Sequence, residues 1–332
     1  MDTEPGIADP VLAAAVGVRR AMLVPVVTAL AIGTIFVAVY LAAFHAPAAH
    51  HQPLGIVGTA QAAGRTEAAL EEVAPGAYAF HRFPDAASAR DALEHAVVPG
   101  ALMNQDGQMV LLAAGAHGPS TLSALQADAS RAAGHRIPVQ DVVPLVPGDT
   151  RGLSVFYASF GVVLAGFLFS VASYQIAPRM RLSARVASMA IFAAASGAVV
   201  ALVAHSLLKA VPGAFTTVAA VVGLLAMASA AMAGVIIRVC GPLGMPVASA
   251  VLLIFGNATS GGILPPSFLP PWLEPLSVVM PPAAAVRALR NSGYFHSAQL
   301  GEALLLMVAS ILVCLAVQIL LDLRSRRRSA TP

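Results

Sequence analysis

The sequence predicts a mainly α-helical membrane protein: a six-helix transmembrane bundle with a re-entrant outer segment before the last span and an inserted small α/β extracellular domain. Of its 332 residues, 58% are hydrophobic and 11% are charged, whereas soluble domains are about a quarter charged. Mean hydropathy is accordingly high, at +0.79. Long apolar segments follow one another along the chain, except that residues 45–151 have the composition of a soluble domain.

The first apolar segment, Ala21–Phe44, is long enough to cross a membrane at about 1.5 Å per residue. Before it, Asp9 followed by Pro10 predicts the start of a short surface helix over Val11–Val18. The two arginines before the apolar segment also resemble the start of a secretory signal, but the segment exceeds the roughly 7–15 apolar residues of such a signal. We therefore expect an uncleaved anchor, with residues 1–20 in the cytoplasm.

The more polar section, residues 45–151, predicts a small extracytoplasmic α/β domain inserted between two spans. Asp106-Gly107 between two apolar runs is a strong hairpin signal. The predicted strands are Leu54–Gly58, Ala77–Phe83, Gly100–Asn104, Gln108–Ala114 and Val139–Leu145, and the predicted helices are Asp85–His95, capped by Asp85, and Ser120–Ala133.

Five further apolar segments lie within residues 153–323 and complete a predicted bundle of six spans. They are Leu153–Gln175, Val186–Leu208, Phe215–Ile237, Leu243–Phe255 and Leu300–Leu323. The fourth of these five is shorter than the roughly 17–25 residues that a spanning helix needs. Placing both termini in the cytoplasm puts the short basic loops and the basic tail, residues 324–332, on the inner side, as the positive-inside rule requires.

The stretch Gly256–Phe295 is the least regular part of the predicted membrane region. It contains seven prolines and a Gly-Gly pair, and proline breaks helices by removing a backbone donor. Broken backbone at membrane depth is tolerated only against protein or a water-filled cavity. The stretch is therefore predicted to be re-entrant, with a purely structural plug as the alternative. Candidate outer gate or pathway residues are Asn257, Ser260, Gly261, Gly262, Pro265 and Trp272.

Within this stretch, Arg287 and Arg290 are three residues apart, so they share one face of a predicted short helix. We expect both to point to water or to lipid headgroups. On the predicted inner side, the loop Gln175–Arg185 is short and basic. It either anchors the topology or docks a cytoplasmic partner.

Small residues recur every fourth position at Ala226, Ala230 and Gly234. This spacing lets two helix backbones approach closely. It predicts a packing face within one bundle, or alternatively a dimer interface.

The sequence contains no signature of nucleotide, metal or nucleic-acid chemistry. Its sole lysine, Lys209, is not in a phosphate-binding loop, and neither a Gly-x-Ser-x-Gly nor a His-Glu-x-x-His motif occurs. No basic run is interleaved with aromatic residues, which argues against nucleic acid. We therefore expect no catalytic residues, no cofactor and no bound metal on this chain.

The histidines and cysteines support the same expectation. A histidine group where the first span exits is interpreted as interfacial rather than metal-binding; it consists of His45, His50 and His51. His205 is interpreted as packed or interfacial rather than as a proton relay. Cys240 and Cys314 lie in or beside apolar segments and do not indicate a disulfide framework.

Four features resemble the ABC-2-type permease group and, within it, the Pip-like (phage infection protein-like) membrane proteins of Gram-positive bacteria. The first two are the inserted domain and the approach to the second span, and the others are the proline-rich stretch and the six-span layout with its basic tail. The segments that carry the resemblance are Gly100-Ala-Leu, Val110-Leu-Leu-Ala-Ala-Gly-Ala, Asp141-Val-Val-Pro-Leu, Pro147-Gly-Asp-Thr-Arg-Gly, Asn257-Ala-Thr-Ser-Gly-Gly, Leu264-Pro, Leu269-Pro-Pro-Trp-Leu and Met280-Pro-Pro-Ala-Ala-Ala-Val-Arg-Ala-Leu-Arg.

This resemblance implies a permease subunit in a bacterial plasma membrane that pairs with a second permease subunit, as a homo- or heterodimer. It also implies separate cytoplasmic ATPases and a hydrophobic, lipidic or glycan-like substrate. In that scheme Gly256–Phe295 is the outer gate, and Arg179, Arg181 and Arg185 form the ATPase-coupling loop. The alternatives are a non-transporting receptor or scaffold, whose outer domain binds a partner or cell-wall component, and a membrane-embedded enzyme.

Overall fold

The computed structural model describes residues 10–330, with side chains described for residues 21–324. Within this range the protein is mostly helical, with five helices long and apolar enough to cross a membrane and one five-stranded sheet. The predicted cap at Asp9 lies outside the described residues.

Helix α1, Pro10–Phe44, is one continuous element of 35 residues. The prediction of a separate surface helix over Val11–Val18 is therefore wrong, because the backbone stays helical through Arg19-Arg20 into the apolar segment. Along most of its length the side chains of α1 that are described are exposed, as expected of a helix in contact with lipid.

The predicted α/β section contains five strands and three helices. In chain order they are β1 Gln52–Val57, α2 Ala60–Val73, β2 Tyr78–Phe83, α3 Ala86–Glu94, β3 Gly100–Gln105, β4 Gln108–Ala113, α4 Pro119–Ala133 and β5 Val139–Asp141. The sheet has the order β2-β1-β3-β4-β5, in which only the β3–β4 pair is antiparallel.

Local signals account for two of the predicted features of this section. Asp85 caps α3, where its carboxylate accepts a hydrogen bond from the Ser88 amide at 2.8 Å. Asp106 and Gly107 both have positive φ, 53° and 83°, as a tight β3–β4 hairpin requires. Helix α2, capped by Thr59, was not predicted; its sequence is rich in alanine and glutamate, and Leu70 is its one large buried side chain.

The two faces of the sheet are covered in different ways. On one face, α2 and α4 pack Leu70 and Leu125 against Leu54 and Leu111. On the other face, α3 shares a hydrophobic cluster with Phe295, the last residue of the proline-rich stretch, which lies about 200 residues after α3 in the chain. The membrane half of the protein thus completes the core of the α/β section.

Four helices form the centre of the membrane half: α5, α6, α7 and α11. Their bounds are Ser154–Ile176, Leu182–Val200, Phe215–Cys240 and Leu300–Ala330, and α6 continues as a π-helix over Ala201–Leu207. Helix α7 lies among the other three, and its buried face consists mainly of alanine, valine and glycine.

Small residues set the distance between α7 and its neighbours. A Cβ on Gly166 of α5 would lie 2.8 Å from the Ser229 Cβ, and one on Gly197 of α6 would lie 2.3 Å from a carbonyl oxygen of α7. Ala226 and Ala230 are fully buried inside this chain. The predicted packing face is confirmed, and at these positions the partner is the same bundle rather than a second copy.

The predicted segments Phe215–Ile237 and Leu243–Phe255 lie within one apolar helical region, Phe215–Gly256, which is 42 residues long and contains a reversal. Gly241, with φ 56° and ψ −122°, ends α7. A Cβ on Gly244 would then lie 2.5 Å from the Ile237 Cα, whereas residues seven apart on a straight helix are about 10.5 Å apart. The chain therefore folds back along α7 as helix α8, Gly244–Ser249, and a π-helix, Ala250–Gly256.

This returning arm connects α1 to the rest of the protein. Ile254 on the arm packs against Val39 and Ala43 of α1. Residues 244–258 rise at most about 22 Å, which is less than a full span by length. Five spans by length and composition are therefore observed, and a sixth span stays a prediction.

The close packing of α5 on α7 generates a prediction that compares two glycines of the same helix. Gly166→Ala should lower stability by about 1–3 kcal/mol, because the added methyl group meets backbone and a short side chain that cannot move aside. Gly161, five residues earlier, has nothing within 4 Å of its Cβ position, so Gly161→Ala should leave stability unchanged or slightly higher. Thermal unfolding of both variants in one detergent would compare them, and equal melting temperatures would contradict this packing.

Candidate functional site

The proline-rich stretch contains two short helices, α9 Glu274–Val279 and α10 Pro281–Tyr294, within otherwise irregular backbone. Three polar side chains of α10 donate to carbonyl oxygens outside α10, in α9, in the irregular backbone and just beyond the stretch. Arg287 donates to Ser277 O at 2.8 Å, Arg290 to Gly261 O at 3.1 Å, and Asn291 to Ala298 O at 2.7 Å. These bonds supply partners that a continuous helix would have provided.

The stretch is also bonded to the α/β section. The His50 amide donates to Ser267 O at 2.7 Å, and the Ser267 hydroxyl donates to the Gln52 side-chain oxygen. At the other end of the stretch, Phe295 is fully buried and its ring centroid lies 4.6 Å from that of His117. The α/β section and the stretch therefore meet through hydrogen bonds at one place and through an aromatic contact at another.

A cavity of about 390 Å³ lies between the α/β section and the stretch. Gln52 and His117 line it from the α/β section, and Ser260, Arg287 and Arg290 line it from the stretch. Its size falls within the range of small-molecule sites, about 300–1,000 Å³. The lining is more polar than that of the two apolar grooves on the surface of the bundle.

The two arginines give this cavity its charge. Among the residues whose side chains are described, neither guanidinium forms an ion pair with a carboxylate. Burial lowers the pKa of both, and the charges of Glu302 and Asp149 offset part of that effect for Arg287 and Arg290 respectively. Both stay protonated at neutral pH, since a guanidinium does not lose its proton in proteins.

His117 is the buried titratable group beside them. Burial, and secondarily the positive charge of Arg290, lower the pKa of His117 to about 3. Its Nε2 atom is buried without a hydrogen-bond partner. His117 is therefore a neutral imidazole at physiological pH.

The structure brings together three of the six predicted gate residues. Ser260, Gly261 and Pro265 line the cavity. Gly261 has a positive φ of 74°, which turns the chain, and its carbonyl is the one bound by Arg290. Whether these residues form a gate stays a prediction.

The other three predicted gate residues lie elsewhere. Asn257 is buried and donates to the carbonyls of Leu252 and Leu253, both at 3.3 Å. A Cβ on Gly262 would lie 2.6 Å from the Phe156 ring, so this glycine permits contact with α5. Trp272 is 57% exposed and is not among the residues that line the cavity.

The predicted coupling arginines do not form one surface. Arg179 and Arg181 are exposed at the α5–α6 turn. Arg185 is buried, where it donates to the Ser173 hydroxyl at 2.6 Å and to Ala177 O at 2.7 Å, and its guanidinium lies 3.8 Å from the Tyr174 ring centre. Arg185 therefore fixes the corner between the two helices.

Sequence reasoning missed a second polar group at this end of the bundle. Arg238 of α7 donates to Gln318 O at 3.1 Å and pairs with the Asp322 carboxylate at 3.3 Å on α11. Gln318 in turn donates to Ala231 O at 3.1 Å. Arg238 and Gln318, polar residues at apolar helices, are visible in the sequence and could have indicated a buried polar group. Their partners could not be identified, because they lie more than about 80 residues away in the chain.

The histidines and cysteines are placed separately. In the part of the chain that the structure describes, no three histidine, cysteine or acidic residues are close enough to hold a metal ion. His50 and His51 line the cavity, while a ring nitrogen of His205 lies 3.1 Å from Val211 O, as expected of a packed histidine. Cys240 and Cys314 are free thiols.

Comparison of the chain with known proteins identified no relative. No protein-family model, no curated protein and no solved structure matches the chain. The chain is thus a multi-pass membrane protein by its apolar helices, and the ABC-2 resemblance stays a sequence-based prediction.

The low pKa of His117 generates a prediction about pH. Between pH 6.5 and pH 3 an unfolded chain binds a proton at this histidine that the folded protein does not, so folding stability should fall as pH decreases through this window. In His117→Asn that contribution is absent. The melting temperature of the wild type should therefore fall more steeply from pH 7 to pH 4 than that of the variant, as followed by thermal unfolding in detergent. Parallel pH curves would contradict the buried neutral state of His117.

Proposed function

We propose that this chain is a permease subunit resembling ABC-2-type exporters. It moves a hydrophobic, lipidic or glycan-like substrate across a bacterial plasma membrane, as one of two permease subunits, with energy from a separate cytoplasmic ATPase. Both termini lie in the cytoplasm and the α/β section lies outside. The observation that carries the proposal is the irregular stretch Gly256–Phe295, which walls a polar cavity at one end of a bundle of apolar helices.

The proposed mechanism assigns the two ends of the bundle different tasks. At the inner end, the α5–α6 turn with Arg179 and Arg181 contacts the ATPase, and Arg185 passes its movement into both helices through Ser173 and Tyr174. At the outer end, the stretch moves away from the α/β section and opens the gate. The α/β section is bonded to the stretch at Ser267 and packs on Phe295, so it would hold the gate closed at rest.

One observation favours a second function, that of a non-transporting receptor or scaffold. The cavity is formed jointly by the α/β section and the stretch, and a ligand or partner could bind there without any movement of the bundle. Relative movement of these two parts therefore separates the two functions.

The proposed inner contact predicts that Arg179→Ala/Arg181→Ala reduces co-purification of a P-loop ATPase from detergent extracts at least fivefold, because two exposed arginines of the contact are lost. The matched control is Arg90→Ala/Arg136→Ala, which removes two exposed arginines from the α/β section. Quantitative mass spectrometry of the tagged chain measures the effect. If no ATPase accompanies the wild type, or if the first variant retains it fully, the permease proposal fails.

The proposed outer movement can be tested with a reversible cross-link. His50→Cys/Ser267→Cys places two thiols where a backbone hydrogen bond already joins the residues, close to the roughly 4.4–6.8 Å between Cα atoms that a disulfide spans. Cys240 and Cys314 are replaced by alanine, and the two single-cysteine variants are controls.

For a permease, oxidation should abolish most ATP hydrolysis by the co-purified complex in proteoliposomes, and a reductant should restore it. Hydrolysis that continues unchanged in the oxidised protein would show that the gate does not open here, and the receptor function would then be favoured.

A further inference from the structure

We propose that the cavity between the α/β section and the proline-rich stretch binds a phosphate group, held by Arg287 and Arg290. This site does not depend on transport, since a permease and a receptor could both use it. The shared chemistry is a phosphate oxyanion, either the headgroup of a lipid or a free phosphate compound.

The first step of the argument is the unbalanced charge of the cavity. Both guanidinium groups line it, and in the described part of the chain neither forms an ion pair. Glu274, an exposed residue at the same cavity, is the acidic residue of its lining. Glu302 and Asp149 act on the two arginines without contacting them. Buried charges in proteins are normally paired, so an anionic ligand would supply the direct partner that the described residues do not.

The second step is the number of free donors. A guanidinium has five N–H groups. Arg287 uses one nitrogen on Ser277 O, and Arg290 uses two nitrogens on the carbonyls of Gly261 and Gly262, the second at a long 3.5 Å. These bonds fix both side chains and leave several donors without a partner, which is the arrangement of a preorganised anion site.

The third step distinguishes phosphate from carboxylate. One arginine satisfies a carboxylate by a bidentate pair, whereas a phosphate has more acceptor oxygens and up to two negative charges. Two arginines one helical turn apart on α10 therefore suit a phosphate better than a carboxylate. His117, a neutral side chain in the same lining with an unpartnered Nε2, adds a further potential donor.

The fourth step concerns position. The cavity lies where irregular backbone of the membrane half meets the α/β section. Its volume of about 390 Å³ is large enough for a small phosphate-containing headgroup. Arginines were expected at this place to point to water or headgroups. Instead, they are partly buried and line a cavity that is partly open to solvent, so a phosphate that they bind loses part of its hydration.

The test uses the full chain in a non-ionic maltoside detergent and phosphate-free buffer. Calorimetric titration with inorganic phosphate, with dihexanoyl phosphatidic acid and with uncharged dihexanoyl glycerol separates the two sources of phosphate. Binding of phosphatidic acid but not of inorganic phosphate identifies a lipid headgroup, and binding of both admits soluble phosphate compounds. Acetate should bind at least tenfold more weakly than the phosphate probe.

Arg287→Gln should weaken the binding of the phosphate probe about tenfold or more, the usual effect of losing a hydrogen bond to a charged group. Arg136→Gln, an exposed arginine outside the cavity, should not change it. Arg290→Gln should weaken binding too, but that variant also loses the bonds to Gly261 and Gly262, and we expect it to be less stable for that reason.

Two variants of the cavity rim keep both arginines and therefore test charge without disturbing these bonds. Gln299→Glu adds a negative charge and should weaken phosphate binding about two- to fivefold, while Glu274→Gln removes one and should strengthen it by a similar factor. The proposal is overturned if the wild type binds neither phosphate probe, if acetate binds as tightly, or if Arg287→Gln and Gln299→Glu bind like the wild type. The arginines would then serve only as donors to backbone carbonyls.

Discussion

The need to satisfy broken backbone governs the outer half of this protein. Proline and glycine prevent a continuous helix over Gly256–Phe295, and an unpaired carbonyl away from water is costly. Side chains of helix α10 supply some of the missing donors, because Arg287, Arg290 and Asn291 donate to carbonyls in α9, in the irregular backbone and just beyond the stretch. The same bonds that make the stretch possible also bring two positive charges into the interior.

Once the stretch is fixed, the α/β section and the bundle become one structure. Phe295 extends from the end of the stretch into a core that α3 and the sheet leave open on one side, and His117 packs on it. Neither part can be understood alone, since one hydrophobic cluster contains residues of both. The polar cavity lies where the α/β section and the stretch meet, because the polar side chains between them, such as Arg287 and Arg290, do not fill the space.

The sequence predicted what depends on near neighbours in the chain. The Asp85 cap, the Asp106-Gly107 hairpin and the small-residue face of α7 all follow from spacing and residue type. Contacts between distant residues were not predictable in this way. Arg185 was predicted to lie in a basic loop and would be expected in water, yet it lies in the first turn of α6, where Tyr174 and Ser173 of the preceding helix enclose it. Likewise, no local pattern indicates that Phe295 would enter the core of a section ending near residue 141.

The reversal at Gly241 has a consequence for the surrounding lipid. The arm that follows it is several ångströms shorter than the hydrocarbon layer of a typical bilayer, and α1 packs on this arm rather than on the central helices. If the arm is the predicted sixth span, this hydrophobic mismatch would be met by local thinning of the bilayer, at a cost of fractions of a kcal/mol per Å. We therefore expect the membrane to be thinnest beside α1 and the arm, which would make the protein sensitive to the acyl-chain length of its lipids.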